Sequence, residues 1–290
     1  LEICKQFSNE LVNEKGNIIR RGPTPRFSDL EVVALSMAAE AEEVDSENWL
    51  FESKLNECRH LIPNLISRRQ FNDRRKTTSN LSEQIRGRIA NYIDSGEDYF
   101  CIDSKPIEVC RLARGKRCKM GQYGDFATAP GFGYCASQKT HYYGYKLHVL
   151  CGLSGVIHSY DLTKASVHDI NYLQDIKLAY HDCSIFGDRG YIGKEIQLDL
   201  FESANIKLEC PYRLNQKDWK PQFLPFAKAR KRVETDFSQL CDQFMIIRNY
   251  AKDTIGLFTR IIGKISAFTI LQYVNKLNNR PIGEIKYAMD

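Results

Sequence analysis

Asp103 closes the apolar run Tyr99-Phe-Cys-Ile102, and Asp188 follows the run Cys183-Ser-Ile-Phe186 after a single glycine. In an open α/β sheet, ligand groups collect at the carboxyl ends of strands, so both aspartates stand where chemistry is expected. Glu234 lies in a segment, 225–244, whose apolar residues Phe226, Val233, Phe237, Leu240 and Phe244 follow helical spacing. At 100° per residue it falls about 75° from the centre of that stripe, on the border of the buried face. Arg230, one turn earlier on the same flank, can reach a phosphate or hold the glutamate. Three carboxylates from separate elements suit Mg²⁺, which takes hard oxygen ligands and keeps waters and phosphate oxygens in its octahedron. Two such ions about 3.5–4 Å apart stabilise the attacking and leaving oxygens of an in-line displacement at phosphorus. Each residue also has a plainer reading. Asp103 in Asp-Ser-Lys-Pro and Asp188 before Arg-Gly can each start a turn, and Glu234 can be a surface residue flanked by Arg230 and Lys231.

The elements that must position these groups follow from periodicity. Residues 1–95 read as helical. Ser28-Asp-Leu-Glu31 is a capping box, after which Leu30, Val33, Ala34, Met37, Ala38 and Ala41 keep helical spacing. A helix is expected over 46–58, Ser67-Arg-Arg-Gln70 is a second capping box opening a basic helix, and another helix covers 81–93. Short helices, one of them basic, resemble a helix-turn-helix-like module, though a plain helical subdomain fits as well. From residue 99 the pattern changes to a short strand ending at Asp103, then a long irregular connection over 106–140. Alternating Tyr143, Tyr145, Leu147 and Val149, a CGLSG turn and Val156–Tyr160 make a hairpin. Helices at 167–179 and 194–204 then alternate with strands at 183–186 and 206–210, and helices at 225–244 and 254–277 close the chain. Hairpin strands followed by alternating strand and helix imply a mixed sheet with helices on its faces.

Composition narrows the classes. The 290 residues carry 41 Lys+Arg against 36 Asp+Glu, with 43% hydrophobic residues, which excludes wholesale disorder. No uninterrupted apolar run approaches the roughly 18–20 residues of a membrane span. The start, LEICKQFSNE, does not read as a signal peptide, and the lack of an initial Met leads us to expect a sequence trimmed at its N-terminus. Ten Cys without a CxxC pair imply a reducing compartment rather than a disulfide framework. The net charge of +5 hides local asymmetry: an acidic stretch at 40–57 offsets three basic clusters. These lie at 67–76 (Arg68, Arg69, Arg74, Arg75, Lys76), at 105–119 (Lys105, Arg111, Arg114, Lys116, Arg117, Lys119) and at 213–232. The last holds Arg213, Lys217, Lys220, Lys228, Arg230, Lys231 and Arg232. Any one can be a solvated face; three together fit localised contact with a polyanion.

Other chemistries find little support. Cys135, His141 and His148 are weak zinc candidates, because on one strand the two histidines face opposite sides and no paired Cys accompanies them. Asp169, in Ser-Val-His-Asp, reads first as the N-terminal structure of the 167–179 helix and second as an auxiliary acid. Neither GxSxG nor GxxxxGK[ST] occurs.

The runs FCIDSKPIEVCRLAR, YYGYKLHVLCGLSGVIHSYDLTKASVHD, IFGDRGYIG and ARKRVETDFSQL together resemble the DDE transposases of bacterial insertion sequences. The order Asp–Asp–Glu, at spacings of 85 and 46 residues, is similar to that family's catalytic domain, and the likeness runs over about 98–275. The run RFSDLEVVALSMAAEAEEVDSEN also looks like the family's N-terminal region. The resemblance implies an α/β fold, a ribonuclease-H-like mixed sheet flanked by helices, with an N-terminal helical domain. The expected organisation is a DNA-binding region at 1–95, a catalytic domain at 96–279 and a tail at 280–290. It further implies Asp103, Asp188 and Glu234 as ligands of Mg²⁺, with two ions and Mn²⁺ as a substitute. The implied partners are the double-stranded DNA of element ends and target, and a second copy of the chain, since two ends must be brought together. The implied location is the bacterial cytoplasm, on the nucleoid, with no membrane or small-molecule cofactor. By matching motif, Arg230 in Arg-x3-Glu would contact DNA phosphate. Related families often place Tyr three positions before that Arg and Lys seven after the Glu; here Ala227 and Cys241 stand there, and Lys231 and Arg232 are expected to supply part of the missing charge. A structure-specific nuclease without strand transfer and a domesticated DNA-binding protein are the alternatives; the intact carboxylates argue against the second.

Overall fold

The computed structural model describes residues 1–120, 128–212, 224–248 and 250–289, with the backbone alone for 224–228. Helices α1 (Glu2–Gln6), α2 (Asp29–Ala41), α3 (Glu47–Trp49), α4 (Leu55–Cys58), α5 (Arg68–Thr77) and α6 (Ser79–Ile93) come first, with a π-helical turn joining α3 to α4. Strands β1 (Tyr99–Cys110), β2 (Gly131–Cys135), β3 (Thr140–Gly152) and β4 (Ile157–Lys164) follow. Then come α7 (Tyr172–Ala179), β5 (Ser184–Phe186), α8 (Lys194–Ala204), β6 (Lys207–Glu209), α9 (Leu224–Asp242) and α10 (Thr254–Leu277). The chain forms two compact units: Asp94–Gln239 with Asn249–Thr254, and Leu1–Ile93 with Leu240–Arg248 and Ile255–Asp290. The latter segment, expected in the catalytic domain and tail, is thus counted with the N-terminal helices.

The α/β unit has the expected ribonuclease-H-like character. Its sheet runs β2-β3-β1-β5-β6, with β4 also on β3. β1 pairs antiparallel with β3 and parallel with β5, and β5 pairs parallel with β6, so the sheet is mixed. Successive residues of a strand point to opposite faces. Phe100 and Ile102 accordingly meet Leu150, Ile185 and Leu208, and Leu173 and Ile176 of α7 and Leu200 and Ala204 of α8 cover them. α9 lies on the other face, with Val233, Phe237 and Leu240 buried as its spacing requires. Its close approach depends on Gly155, at φ +90° in the β3–β4 turn, where a Cβ would stand 2.8 Å from Arg232 Cδ and 2.9 Å from Asp236 Oδ1. Asp236 is fully buried on this face, which the helical stripe alone did not anticipate; burial raises its pKa well above the carboxylate range.

Two strand expectations need correction. β1 does not stop at Asp103 but continues to Cys110, because antiparallel pairing with β3 persists as far as Cys110↔Tyr143. Pro106 is tolerated there because, among the described residues, β1 has no strand paired on its β5 side beyond Cys101. The expected irregular stretch 106–140 therefore contains the rest of β1, a 3₁₀ turn at Leu112–Arg117 and the short strand β2. A run as short as GFGYC has too few residues for periodicity to be read.

In the helical unit both capping boxes form: Ser28 with Glu31 and Ser67 with Gln70. α2 is buried more broadly than one stripe. Val32, Ala39 and Glu40 are enclosed while Ala38 is exposed, since Val32 and Ala39 join a second cluster around Phe71. α10 is long and apolar enough to cross a membrane by length and composition, and 67% of its most apolar stretch is buried within the protein. It is enclosed nearly all round, which explains its place among the other helices. Lys264 on α10 reaches Glu40 at 2.8 Å, and Ser266 lies 3.2 Å from Ser82 of α6. Two cations of the basic helix α5 are also spent inside this unit. Arg75 is buried between Glu40 and Glu47, both at 3.1 Å, and Arg74 reaches Asp29 at 2.7 Å. Arg68 and Arg69, on the first turn, are exposed.

Candidate active site

The parallel register of β1 on β5 ends at Cys101↔Phe186. Asp103 and Asp188 each lie two residues beyond that last pair, so neighbouring chain segments bring the two aspartates to one end of the sheet. The turn reading of Asp188 holds as well, since Oδ1 accepts the Gly190 N–H at 2.7 Å and caps a 3₁₀ turn. Asp103 Oδ1 accepts the Ser104 N–H at 2.8 Å. Burial first, and then the charges of Asp188 and Asp169, push the Asp103 carboxyl up to about 6; the Ser104 N–H and the Arg230 guanidinium oppose the shift.

Asp169 joins this end of the sheet. Its side chain caps no helix. Oδ1 instead accepts from Ser104 Oγ at 3.0 Å and pairs with Lys146 Nζ at 2.9 Å. A Cβ on Gly190 would lie 2.9 Å from Asp188 Oδ1 and 3.2 Å from Asp169 Oδ2, so those two oxygens are at most 6.1 Å apart. Ser104 and His148 are register partners, and Lys146 shares their face. His148 is buried, 2.8 Å from Thr163 Oγ1, and burial lowers its pKa to about 4. Beneath the aspartates Tyr191 is fully buried, and among the described residues its hydroxyl has no hydrogen-bond partner. Burial and the charges of Asp169, Asp103 and Asp188 raise its pKa well above the usual phenol range.

Glu234 is not drawn into this cluster. It is exposed on α9 and accepts from Arg230 at 3.2 Å. Among the described residues no three His, Cys, Asp or Glu side chains stand close enough to hold a metal ion together. The donor chemistry nevertheless suits a hard cation: Asp103 and Asp188 offer carboxylate oxygens just beyond the last β1–β5 pair, and the Asp169 charge acts on the same place. Residues 94–270 match the family described as transposase DDE domain. The chain belongs to that family. No curated protein and no solved structure matches it. In this transposase domain the first two carboxylates expected from sequence are brought together, and the third is held one helical turn from the arginine expected to bind DNA.

The remaining basic residues are dispersed. Arg114, Lys116 and Arg117 are exposed on the 3₁₀ turn after β1, and Lys105 lies 5.7 Å over the Phe237 ring. Lys231 is exposed and Arg232 half-buried on α9, while Arg213, Lys217 and Lys220 lie outside the described residues, as does the Lys228 side chain. Sequence reasoning passed over Lys146, Ser104 and Tyr191 and ranked Asp169 second. A partial signal existed: Lys146 and His148 interrupt HYYGYKLHVL on the face opposite Tyr145, Leu147 and Val149.

Proposed function

We propose that the chain is the transposase of a bacterial insertion sequence, which binds the terminal inverted repeats of its element, cuts the DNA with water and joins a 3′-hydroxyl to target DNA. The observation that carries this reading is the register that leaves Asp103 and Asp188 side by side beyond Cys101↔Phe186, inside a transposase DDE domain. Asp103, Asp188 and Glu234 would hold Mg²⁺, with Mn²⁺ as a substitute and two ions in the working site. The ions supply charge stabilisation for the attacking and leaving oxygens. The chain's own groups provide the rest. Ser104 and Lys146 fix Asp169, whose negative charge reinforces that of the neighbouring aspartates. Arg230 pairs with Glu234 in an exposed i,i+4 geometry worth only about 0.3–0.5 kcal/mol. A charge-assisted hydrogen bond to DNA phosphate is worth about 1.5–3 kcal/mol, so Arg230 can exchange partners and free the glutamate for the metal.

Arg68, Arg69, Arg114, Lys116, Arg117, Lys231 and Arg232 are the cations available to phosphates. The working form is a homodimer on DNA, because two element ends must meet, and the location is the bacterial cytoplasm, on the nucleoid. The test is incubation with Mg²⁺ and labelled repeat ends, scoring nicks and joined products. Asp103→Asn and Glu234→Gln are expected to lose both products while retaining most end binding; full activity in either variant removes that residue from the site. Nicks without joined products would turn the reading to a nuclease, and binding without cleavage under any divalent ion to a domesticated DNA-binding protein.

A further inference from the structure

One face of β2 is built differently from the rest of the sheet. Phe132 and Tyr134, two residues apart, are 47% and 53% exposed on a short strand paired only with β3 among the described residues. Each ring has an aromatic partner across the ladder. Phe132 lies 4.8 Å from Tyr143 and Tyr134 4.8 Å from His141, which are also their register partners. The opposite face of the strand is closed by a small cluster of Cys135, Tyr142 and Ala165. The basic 3₁₀ turn Leu112–Arg117 abuts the Phe132 end of this face: a Cβ on Gly115 would stand 2.9 Å from both the Phe132 and Tyr143 rings. Arg114, Lys116 and Arg117 on this turn are all exposed.

Flat rings bordered by exposed cations match one ligand chemistry. Base faces stack on aromatic side chains while phosphates follow the positive charge. In a duplex those base faces are hidden by their neighbours, so the platform is useful only to unpaired bases. Alternate residues of a strand are about 6.8 Å apart, twice the 3.4 Å spacing per nucleotide along a strand of the duplex. Two adjacent bases seated on Phe132 and Tyr134 therefore cannot remain stacked on each other, and the bound strand must be extended. Resting on the DNA-acting reading above, we propose that β2 and the 112–117 turn grip an unpaired DNA strand. Its bases sit on Phe132 and Tyr134 and its phosphates on Arg114, Lys116 and Arg117.

The experiment measures binding of a labelled single strand and of the matching duplex by fluorescence anisotropy, in EDTA, with the full chain. Base–aromatic stacking predicts a loss of about 5- to 150-fold per ring for alanine. The double variant Phe132→Leu/Tyr134→Leu, which keeps apolar bulk on the strand, is expected to lose at least about 10-fold on the single strand. Its duplex affinity and melting temperature should stay near those of the wild type. The ring-preserving Phe132→Tyr and Tyr134→Phe should retain single-strand affinity, and a 2-aminopurine base should be quenched on binding to the wild type and to these variants but not to the leucine variant. Unchanged single-strand affinity in the leucine variant overturns the platform, as does equal loss on the ring-preserving variants. Wild-type protein that binds duplex but not single strand also overturns it while leaving the transposase reading intact. Failure to bind either form overturns both.

Discussion

Asp103→Asn exchanges a half-buried carboxylate for a neutral side chain of the same shape. In the folded protein the carboxyl ionises near pH 6 instead of 3.8, mainly because burial penalises its charge and secondly because Asp188 and Asp169 repel it. At 1.36 kcal/mol per pH unit, keeping it ionised at neutral pH costs the folded state on the order of 3 kcal/mol relative to the unfolded chain. The sign follows from proton binding. The native state holds the proton more tightly, so the favourable contribution is complete below about pH 3.8 and is lost as pH rises through about 6. Asparagine removes that cost but leaves an amide beside Arg230, so a net gain of about 1–2 kcal/mol is expected at pH 7.5. For a protein of this size, that is a rise in melting temperature of roughly 2–8 °C. The assay is thermal unfolding of both proteins in EDTA at pH 7.5 and pH 4.5. The gap should be present at the higher pH and close at the lower one, where wild-type Asp103 carries its proton. Added Mg²⁺ should raise the melting temperature of the wild type more than that of the variant. Should Asp103→Asn be no more stable than the wild type at pH 7.5, or should the gap persist at pH 4.5, the electrostatic account of the site is wrong.

Asp169→Asn should behave oppositely: Lys146 loses its ion pair and keeps only the Val167 carbonyl, so stability in EDTA falls by about 1–3 kcal/mol and nicking by at least about 10-fold, checked by melting and cleavage assays. Glu40→Ala leaves Arg75 with Glu47 alone and Lys264 with the Phe244 carbonyl and the more distant Asp45, and should cost about 1–3 kcal/mol in denaturant unfolding, whereas no measurable effect would contradict the buried pairing. Arg68→Ala/Arg69→Ala should reduce the salt slope of DNA binding by about one per lost phosphate contact with no change in melting, while Arg75→Ala should chiefly lower stability.

Local order determined much of this protein in advance. The two capping boxes, the hairpin of β3 and β4, α8, α10 and the apolar side of α9 follow from spacing, because their signals are short-range and repeat with the period of the element. The placement of Asp103 and Asp188 after apolar runs was legible for the same reason. What composition could not reveal was decided by pairing between distant segments. The β1–β5 register makes the two aspartates neighbours, and β1's ladder with β3 carries it past Asp103 to Cys110. Arg75, which reads as a DNA contact within a basic run, is buried because Glu40 and Glu47 lie across from it. Asp169, which reads as N-terminal structure of the 167–179 helix and stands on the 3₁₀ turn leading into α7, also meets Ser104 and Lys146 because the residues after β4 return to β1 and β3. A charge in sequence is only a quantity; which opposite charge or empty oxygen it faces is set by contacts 20 to more than 200 residues away, such as Lys264 on Glu40.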